Sequence, residues 1–399
     1  MPAPARPLCR VGPEASHSLV LLALRRHQRA YEARYGSDSA RTRVLRRLVA
    51  CRTEALGSHL CVCEACGWKG FAPNSCRDRH CPQCQGAATA QWLKDRTARM
   101  LSVPHFQVVF TLPAELRAIA YDNPELLYGL LFATAASVLQ DLAAQRLGAQ
   151  LGITAVLHTW TSELLYHPHV HCLVTGGGLD PDGQRFIASR EDYLFPGKIL
   201  GAMFRGRFLE GLIDAFERDE LTLRGDDRLA AEMALRSTLR ALSARHARWV
   251  VHVEPPRGRP AEHVAKYLAR YVKRVAISDA RIVEVTDSEV AFRSRRSIVR
   301  VQGVEFARRF LLHVLPAGFR KIRHYGLYAP GNAKHRLQVA RALVIPGGDA
   351  GDDAEQAKPE VAEAGAHTRL ETCPECGERR VRRIVVLPVG GARWPRGPP

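Results

Sequence analysis

The stretch Tyr166-His-Pro-His-Val-His-Cys-Leu-Val-Thr175 decides the fold, because it has the character of a strand and carries a row of histidines. Side chains alternate between the two faces of a strand, so His169 and His171 project from one side, roughly 6.6 Å apart along it. We expect Val170 and Leu173 on the opposite face, where they can join a core. Neutral imidazole is a common ligand of divalent metals, so this stretch predicts a metal-binding edge.

Length and charge indicate a large protein that faces a polyanion. The 399 residues allow two or three domains. The formal net charge of +18, from 58 Lys and Arg against 40 Asp and Glu, favours nucleic acid as the partner. We find no long apolar run and no secretory signal, so we expect no membrane partner. Eleven cysteines without a signal indicate metal ligands in a reducing, cytoplasmic compartment.

A block of eight potential zinc ligands follows the first predicted helices: Cys51, His59, Cys63, Cys66, Cys76, His80, Cys81 and Cys84. Structural zinc takes four tetrahedral ligands, so the block fits two sites. The simplest partition places both Cys-x-x-Cys pairs on one zinc, although an interleaved arrangement fits equally well. Cys61 is then a spare thiol, and Arg77, Arg79 and Lys69 are predicted phosphate contacts. In the tail, Cys373-Pro-Glu-Cys376 is half a zinc site without obvious partners.

A predicted helix carries two tyrosines four residues apart, Tyr267 and Tyr271, which therefore share one face about 6 Å apart along the axis. A tyrosine hydroxyl can attack a phosphodiester and become covalently joined to DNA. The same stripe also fits the ordinary apolar face of a helix. A divalent metal beside the helix would favour catalysis, since it polarises the scissile phosphate. The basic residues of this helix are predicted to contact DNA; they are Lys266, Arg270, Lys273 and Arg274.

Taken together, these motifs resemble those of HUH endonucleases with two tyrosines, and most closely the transposases of rolling-circle insertion sequences of the IS91 type. The resemblance covers residues 15–330 and rests on six segments: Cys51-Arg-Thr, Asn74-Ser-Cys-Arg-Asp-Arg-His-Cys-Pro-Gln-Cys84, Val103-Pro-His-Phe-Gln-Val-Val-Phe-Thr-Leu-Pro113, Tyr166-His-Pro-His-Val-His-Cys-Leu-Val174, Tyr267-Leu-Ala-Arg-Tyr-Val-Lys-Arg-Val-Ala-Ile-Ser278 and Arg309-Phe-Leu-Leu-His-Val-Leu-Pro316. It implies an α+β fold, with a central antiparallel sheet, flanking helices and an N-terminal helical zinc-binding domain.

The resemblance also implies a reaction and its cofactors. A transposase of this kind nicks one DNA strand at an element end, forms a 5′-phosphotyrosine on Tyr267 or Tyr271, and passes the strand to target DNA. His169 and His171 match the ligands of the catalytic Mg²⁺ or Mn²⁺, while zinc is structural. The expected partner is single-stranded DNA in the bacterial cytoplasm, at the nucleoid.

A third catalytic ligand is needed, and His158 is the preferred candidate, because its strand should lie beside the histidine strand. His167 and Glu163 are the alternatives. Two other functions remain open: a rolling-circle replication initiator or relaxase, and a non-catalytic zinc-containing DNA-binding protein. The oligomeric state is not predicted.

The predicted organisation has five parts along the chain. They are a flexible N-terminus (1–16), a helical zinc-binding domain (17–101), a catalytic domain (102–330), a disordered linker (331–366) and a tail with one Cys-x-x-Cys pair (367–399). Within the catalytic domain we expect a strand at 104–113, a hairpin over 153–175 and a helix at 123–147.

Overall fold

The computed structural model describes residues 9–10, 18–37, 39–84, 86–225, 227–244, 249–256, 276–332, 335–344, 373–378 and 380–384. The predicted tyrosine helix lies outside these residues, and so do Tyr267, Tyr271, Lys266, Arg270, Lys273 and Arg274. Most of the predicted N-terminus (1–16) also lies outside them.

The helices of the described residues are α1 (Leu19–Tyr35), α2 (Ala40–Val49), α3 (Gly86–Arg99), α4 (Arg117–Asp122), α5 (Pro124–Leu147), α6 (Gly197–Glu217), α7 (Arg228–Ser243), α8 (Gly303–Leu311) and α9 (Arg336–Val344). The strands are β1 (Cys9–Arg10), β2 (Ser58–Cys63), β3 (Lys69–Pro73), β4 (His105–Thr111), β5 (Gln150–Trp160), β6 (Tyr166–Leu179), β7 (Phe186–Ala188), β8 (Val251–Glu254), β9 (Ile282–Val285), β10 (Glu289–Arg293), β11 (Ile298–Gln302), β12 (Ile322–Gly326) and β13 (Val381–Ile384). The chain divides into two compact units, one formed by 1–91, 273–314 and 361–399, the other by 92–272 and 315–360.

An antiparallel sheet forms the centre of the second unit. Its strand order is β12-β5-β6-β4-β8, and β7 pairs with β6. The long β5–β6 hairpin is the one expected over 153–175. Helices α5, α6 and α7 cover one face of this sheet and bury its apolar side chains, including Phe106, Phe110 and Val170. The predicted α+β class with a central antiparallel sheet is therefore confirmed.

The two faces of β6 differ in chemistry, and here one prediction was wrong. Val170, Cys172 and Val174 point into the core under the helices. Leu173 does not join them: it packs with Met100 and Val156 in a small separate cluster. The reason is the period of two, which places residue 173 on the same face as His169 and His171. The histidine face is therefore partly apolar at one end.

Helix α5 is the central helix of this core. In the part of the chain that the structure describes, it is the one helix long and apolar enough to cross a membrane by length and composition, and 61% of its most apolar window is buried inside the protein. Pro124 starts the helix at a position that needs no N–H donor, and Gly148 ends it in the left-handed conformation. The apolar character of the helix thus serves the core.

The first unit joins the N-terminal helices to a later part of the chain. Helix α1 packs on α8 and on the sheet β11-β10-β9. Asp279 caps the start of α1 by accepting hydrogen bonds from Ser18 Oγ at 2.7 Å and from the Val20 N–H at 2.9 Å. Residues 276–314 therefore lie with the zinc-binding region, not inside one domain over 102–330 as predicted. The region is also less helical than expected, because β2 and β3 pair within it.

Part of the predicted disordered linker (331–366) is ordered. Residues Arg336–Val344 form α9, whose Leu337 and Ala340 are buried in a cluster with Leu101 and Leu179. These two side chains are three residues apart and so share one face of the helix. That apolar face packs against the rest of the unit, whereas the composition of residues 331–366 as a whole indicated disorder.

Candidate metal centres

Three histidines converge on the face of the second unit's sheet that lies opposite to α5, α6 and α7. The register of the hairpin places His158 of β5 directly opposite His169 of β6, and His171 follows two residues later. The ring centroids of His158 lie 5.4 Å from His169 and 4.4 Å from His171, and one nitrogen of each ring lies within 4.8 Å of the others. His158 and His171 are buried, whereas His169 is partly exposed. Three imidazole nitrogens this close together form a donor set suited to a divalent transition metal.

Second-sphere hydrogen bonds orient two of these rings. The Nδ1–H of His169 donates to the His167 carbonyl at 2.6 Å, which leaves the Nε2 lone pair for a metal. Nδ1 of His171 lies 2.9 Å from Nε2 of the buried Gln107 on β4. Metal binding through His171 Nε2 requires a proton on Nδ1, and this N–H then needs a hydrogen-bond acceptor where the Gln107 side chain lies. Rotating the Gln107 amide by a half-turn presents its oxygen there without other movement.

The other two candidates for a third ligand do not belong to this cluster. Arg117 donates to Nδ1 of His167 at 2.9 Å, so the neutral ring keeps its proton on Nε2 and has no lone pair to offer. Burial, with the Arg117 charge, lowers the pKa of His167 and favours this neutral form. Glu163 is exposed in the turn between β5 and β6.

Cations flank the histidine cluster on two sides. Arg117 approaches through its contact with His167. On the other side Trp160 stacks on His158, with ring centroids 5.0 Å apart, and Lys321 Nζ lies 4.7 Å from the centre of the Trp160 ring. Positive charge on both sides of a metal-binding face suits a phosphodiester. Sequence reasoning missed Gln107, Arg117 and Lys321, because no local motif connects them to the histidines.

The first cysteine cluster joins four thiols of the zinc-binding region. The Sγ of Cys51 lies 3.6 Å from those of Cys81 and Cys84, and the Cys76 and Cys84 sulfurs are 3.8 Å apart. Tetrahedral zinc with Zn–S bonds of about 2.3 Å requires sulfur separations of about 3.8 Å, so the geometry fits. Backbone N–H groups of Cys76 and Asp78 also point at these sulfurs.

The second cluster unites Cys63 and Cys66 with Cys373 and Cys376 of the tail. The sulfurs of Cys63 and Cys376 are 3.7 Å apart, and so are those of Cys66 and Cys373. A hydrogen bond from the Cys66 backbone N–H lowers the pKa of Cys63 to about 7, which favours the thiolate that binds zinc.

These clusters correct the predicted zinc partition. The two Cys-x-x-Cys pairs of residues 63–84 do not share a metal, and the tail pair does have partners. His59 and His80 belong to neither cluster: Nδ1 of His59 lies 2.9 Å from Asn74 Oδ1, and Nδ1 of His80 lies 2.9 Å from Asp78 Oδ1. Four thiolates complete each tetrahedron, so no position is left for an imidazole. Cys61 stays outside both clusters, buried near Trp68.

The described cations predicted to contact DNA are exposed on the zinc-binding region. Arg77 and Arg79 point outward on either side of the buried Asp78, directly after the Cys76 ligand. Lys69 is exposed at the start of β3. Two exposed guanidinium groups on a turn beside a cysteine cluster are well suited to phosphate contact.

Comparison with known proteins relates both regions to transposition. A family model described as "Putative transposase" matches residues 152–336, and one described as "Transposase zinc-binding domain" matches residues 23–112. The chain is 42% identical over 394 residues to "Putative transposase y4qJ" of Sinorhizobium fredii (strain NBRC 101917 / NGR234), with 95% of this chain and 97% of the relative covered. It is 27% identical over 322 residues to "Transposase for insertion sequence element IS801" of Pseudomonas savastanoi pv. phaseolicola, covering 75% and 74%. No solved structure matches the chain.

Proposed function

This chain belongs to the IS91-type transposase family, and we propose that it cuts and rejoins single DNA strands at the histidine cluster through a covalent tyrosine–DNA intermediate. The observation that carries this proposal is the convergence of His158, His169 and His171 on the face of the antiparallel sheet opposite to α5, α6 and α7. We place this work in the bacterial cytoplasm, on DNA of the nucleoid.

The proposed ion at the cluster is Mn²⁺ or Mg²⁺, held by the three histidines. When bound, it supplies Lewis-acid polarisation of the scissile phosphate and stabilises charge on the leaving 3′ oxygen. Imidazole is a better ligand for Mn²⁺ than for Mg²⁺, which prefers oxygen, so this donor set favours Mn²⁺. The His167 carbonyl would hold the His169 ring for the ion, and the Gln107 side chain would hold the His171 ring once its amide is rotated by a half-turn. Arg117 and Lys321 lie where they can neutralise the phosphates of the bound strand.

The proposed nucleophiles are Tyr267 and Tyr271, whose spacing of four residues would put both hydroxyls on one face of the helix that the sequence predicts. The tyrosine oxygen gives up its proton and attacks phosphorus, the bond from phosphorus to the 3′ oxygen breaks, and that oxygen takes up a proton. The products are a 5′-phosphotyrosine and a free 3′-OH. A later attack by a 3′-OH reverses the exchange and releases the tyrosine. One phosphodiester replaces another, so no external energy source is required.

Formation of the covalent adduct tests the proposal. With Mn²⁺, the protein should form an SDS-resistant adduct with single-stranded DNA from the end of its own element. The double variant Tyr267→Phe plus Tyr271→Phe should abolish the adduct, and so should His169→Ala. Tyr193→Phe is the matched control, because Tyr193 is exposed in the same unit and should be dispensable. An adduct that survives the double tyrosine change would refute the assignment of the nucleophiles.

The metal preference can be read from the same assay. Mn²⁺ should support the adduct at lower concentration than Mg²⁺, since no carboxylate takes part in the described cluster. Tight DNA binding without an adduct under either ion would instead favour a DNA-binding protein without catalysis.

A further inference from the structure

We propose that the tail completes a second zinc site, and that the sheet closed by this zinc binds single-stranded DNA on its exposed face. The sheet has the strand order β1-β3-β2-β13, so a strand from the end of the chain pairs with β2 of the zinc-binding region. This surface is separate from the histidine cluster, and the inference does not depend on the chemistry proposed there.

The zinc site consists of two matching turns. Cys63-Glu-Ala-Cys66-Gly67 and Cys373-Pro-Glu-Cys376-Gly377 have the same pattern, and both glycines adopt a positive φ of about +74°. In both turns the glycine N–H donates to the carbonyl of the first cysteine at 2.9 Å. The paired sulfurs, 3.7 Å apart, match the separation of about 3.8 Å that tetrahedral zinc requires. The matched zinc-binding family model ends at residue 112, so the tail pair lies beyond it.

The zinc explains how so short a strand stays paired. Strand β13 forms a register of only four residues with β2, from Val381 opposite Cys63 to Ile384 opposite Leu60. The cysteines that it brings together are 307 and 313 residues apart in the chain. Closing such a loop costs entropy, and four residues of a strand offset little of it. Ligation of one zinc by all four cysteines would offset this cost and hold the strand in place, because the free energy of metal binding contributes to folding.

The pairing register sorts the side chains of this sheet into two faces. On the inner face, Cys61, Cys63 and Ala72 are buried. On the outer face, Arg382 lies opposite Val62, which lies opposite Lys69, so two cations flank an aliphatic side chain across three strands. The next cross-strand row of the same face consists of Ile384, Leu60 and Phe71.

This outer face has the composition of a surface for unpaired nucleotides. Lys69 and Arg382 are exposed, and among the described residues neither has a carboxylate within 4.0 Å. Phe71 and Leu60 are partly exposed, each less than Ile384, which is 46% exposed. Bases of a single strand can stack on such apolar side chains while cations contact the phosphates. A duplex hides its bases and would leave the apolar row in water, so the surface favours single-stranded DNA.

Zinc content tests the metal site. The full-length protein should contain two zinc ions per chain by plasma mass spectrometry, and Cys373→Ser plus Cys376→Ser should reduce this to one. Cys81→Ser, in the first cluster, should also remove one ion while leaving the tail protected. In limited proteolysis, only the tail variant should lose its last residues faster than the parent protein. One zinc in the parent, or an unchanged content in the tail variant, would overturn the site.

DNA affinity tests the surface. Lys69→Gln plus Arg382→Gln should lower the salt slope of single-strand binding by about 1.4 and weaken the affinity by about 25-fold at 0.1 M salt. The control variant Arg34→Gln plus Arg43→Gln removes the same charge from exposed positions on α1 and α2 and should bind nearly as the parent does. Phe71→Leu should weaken single-strand binding while leaving duplex binding unchanged.

Three outcomes would overturn the single-strand assignment: no loss in the first variant, an equal loss in the control, or a loss confined to duplex DNA. Tyr267→Phe plus Tyr271→Phe should lose the adduct but keep the parent's affinity and salt slope for single-strand binding. Failure of the surface and failure of the tyrosine chemistry are therefore distinguishable.

Discussion

Gln107→Leu should weaken metal binding at the histidine cluster without a change in any ligand. The Gln107 amide is buried, 8% exposed, and lies 2.9 Å from Nδ1 of His171. Leucine has a similar volume but no hydrogen-bond acceptor. When His171 binds metal through Nε2, its Nδ1 carries a proton, and in the leucine variant this buried N–H would have no partner. An unpaired buried donor costs about 1–3 kcal/mol. The metal affinity should therefore fall about 10- to 100-fold, as is usual when a residue that hydrogen-bonds to a metal ligand is replaced.

Calorimetric titration of the purified protein with Mn²⁺ measures this effect directly. Gln107→Glu is the informative partner, because a carboxylate always accepts a hydrogen bond from Nδ1 and should keep or raise the affinity. Gln184→Leu, at an exposed position of a turn, is the control and should leave the affinity unchanged. The reasoning fails if Gln107→Leu binds Mn²⁺ as the parent does, or if the glutamate variant is as weak as the leucine variant.

Two further predictions concern stability. Gly178→Ala should lower the free energy of unfolding by about 1–3 kcal/mol, since the added Cβ would clash with the Gln150 carbonyl oxygen. Gly206→Ala, on the open surface of α6, should instead raise the free energy of unfolding by about 0.5–1 kcal/mol. Effects of the same sign in urea denaturation would contradict this. Burial lowers the pKa values of His105 and His324 to about 4, below the 6.5 of an unfolded histidine. The unfolded chain therefore binds more protons as the pH falls from 6.5 to 4, and stability should decline across that window. In His324→Gln the decline should be shallower; a slope equal to that of the parent in thermal melts at several pH values would count against the mechanism.

Local patterns predicted the elements whose neighbours in the sheet are also neighbours in the chain. The strand pattern of residues 166–175 led to the hairpin expected over 153–175, which the structure contains as β5 and β6. Strand β12, by contrast, was not predicted. Its sequence Ile322-Arg-His-Tyr-Gly326 has little apolar alternation, and it is a strand because it pairs with β5, more than 160 residues earlier in the chain.

The candidate zinc ligands also show that local sequence cannot identify partners that are distant in the chain. Cysteine spacing predicted one or two zinc ions, but it could not choose their ligands, since Cys63 and Cys66 cluster with Cys373 and Cys376 from the far end of the chain. His59 and His80 had suitable spacing, yet hydrogen bonds to Asn74 and Asp78 occupy their Nδ1 atoms instead.

By itself, then, the sequence determined what depends on spacing along the chain: the histidine strand, the cysteine block, the pair of tyrosines and the basic charge. Strand periodicity fixes that His169 and His171 share a face, whatever surrounds them. Only the tertiary structure decided which distant groups complete each site. Cross-strand register set His158 against His169, brought Gln107 to His171 and carried the tail cysteines to Cys63 and Cys66. Register depends on burial and pairing summed over whole sheets, which no local stretch of sequence encodes.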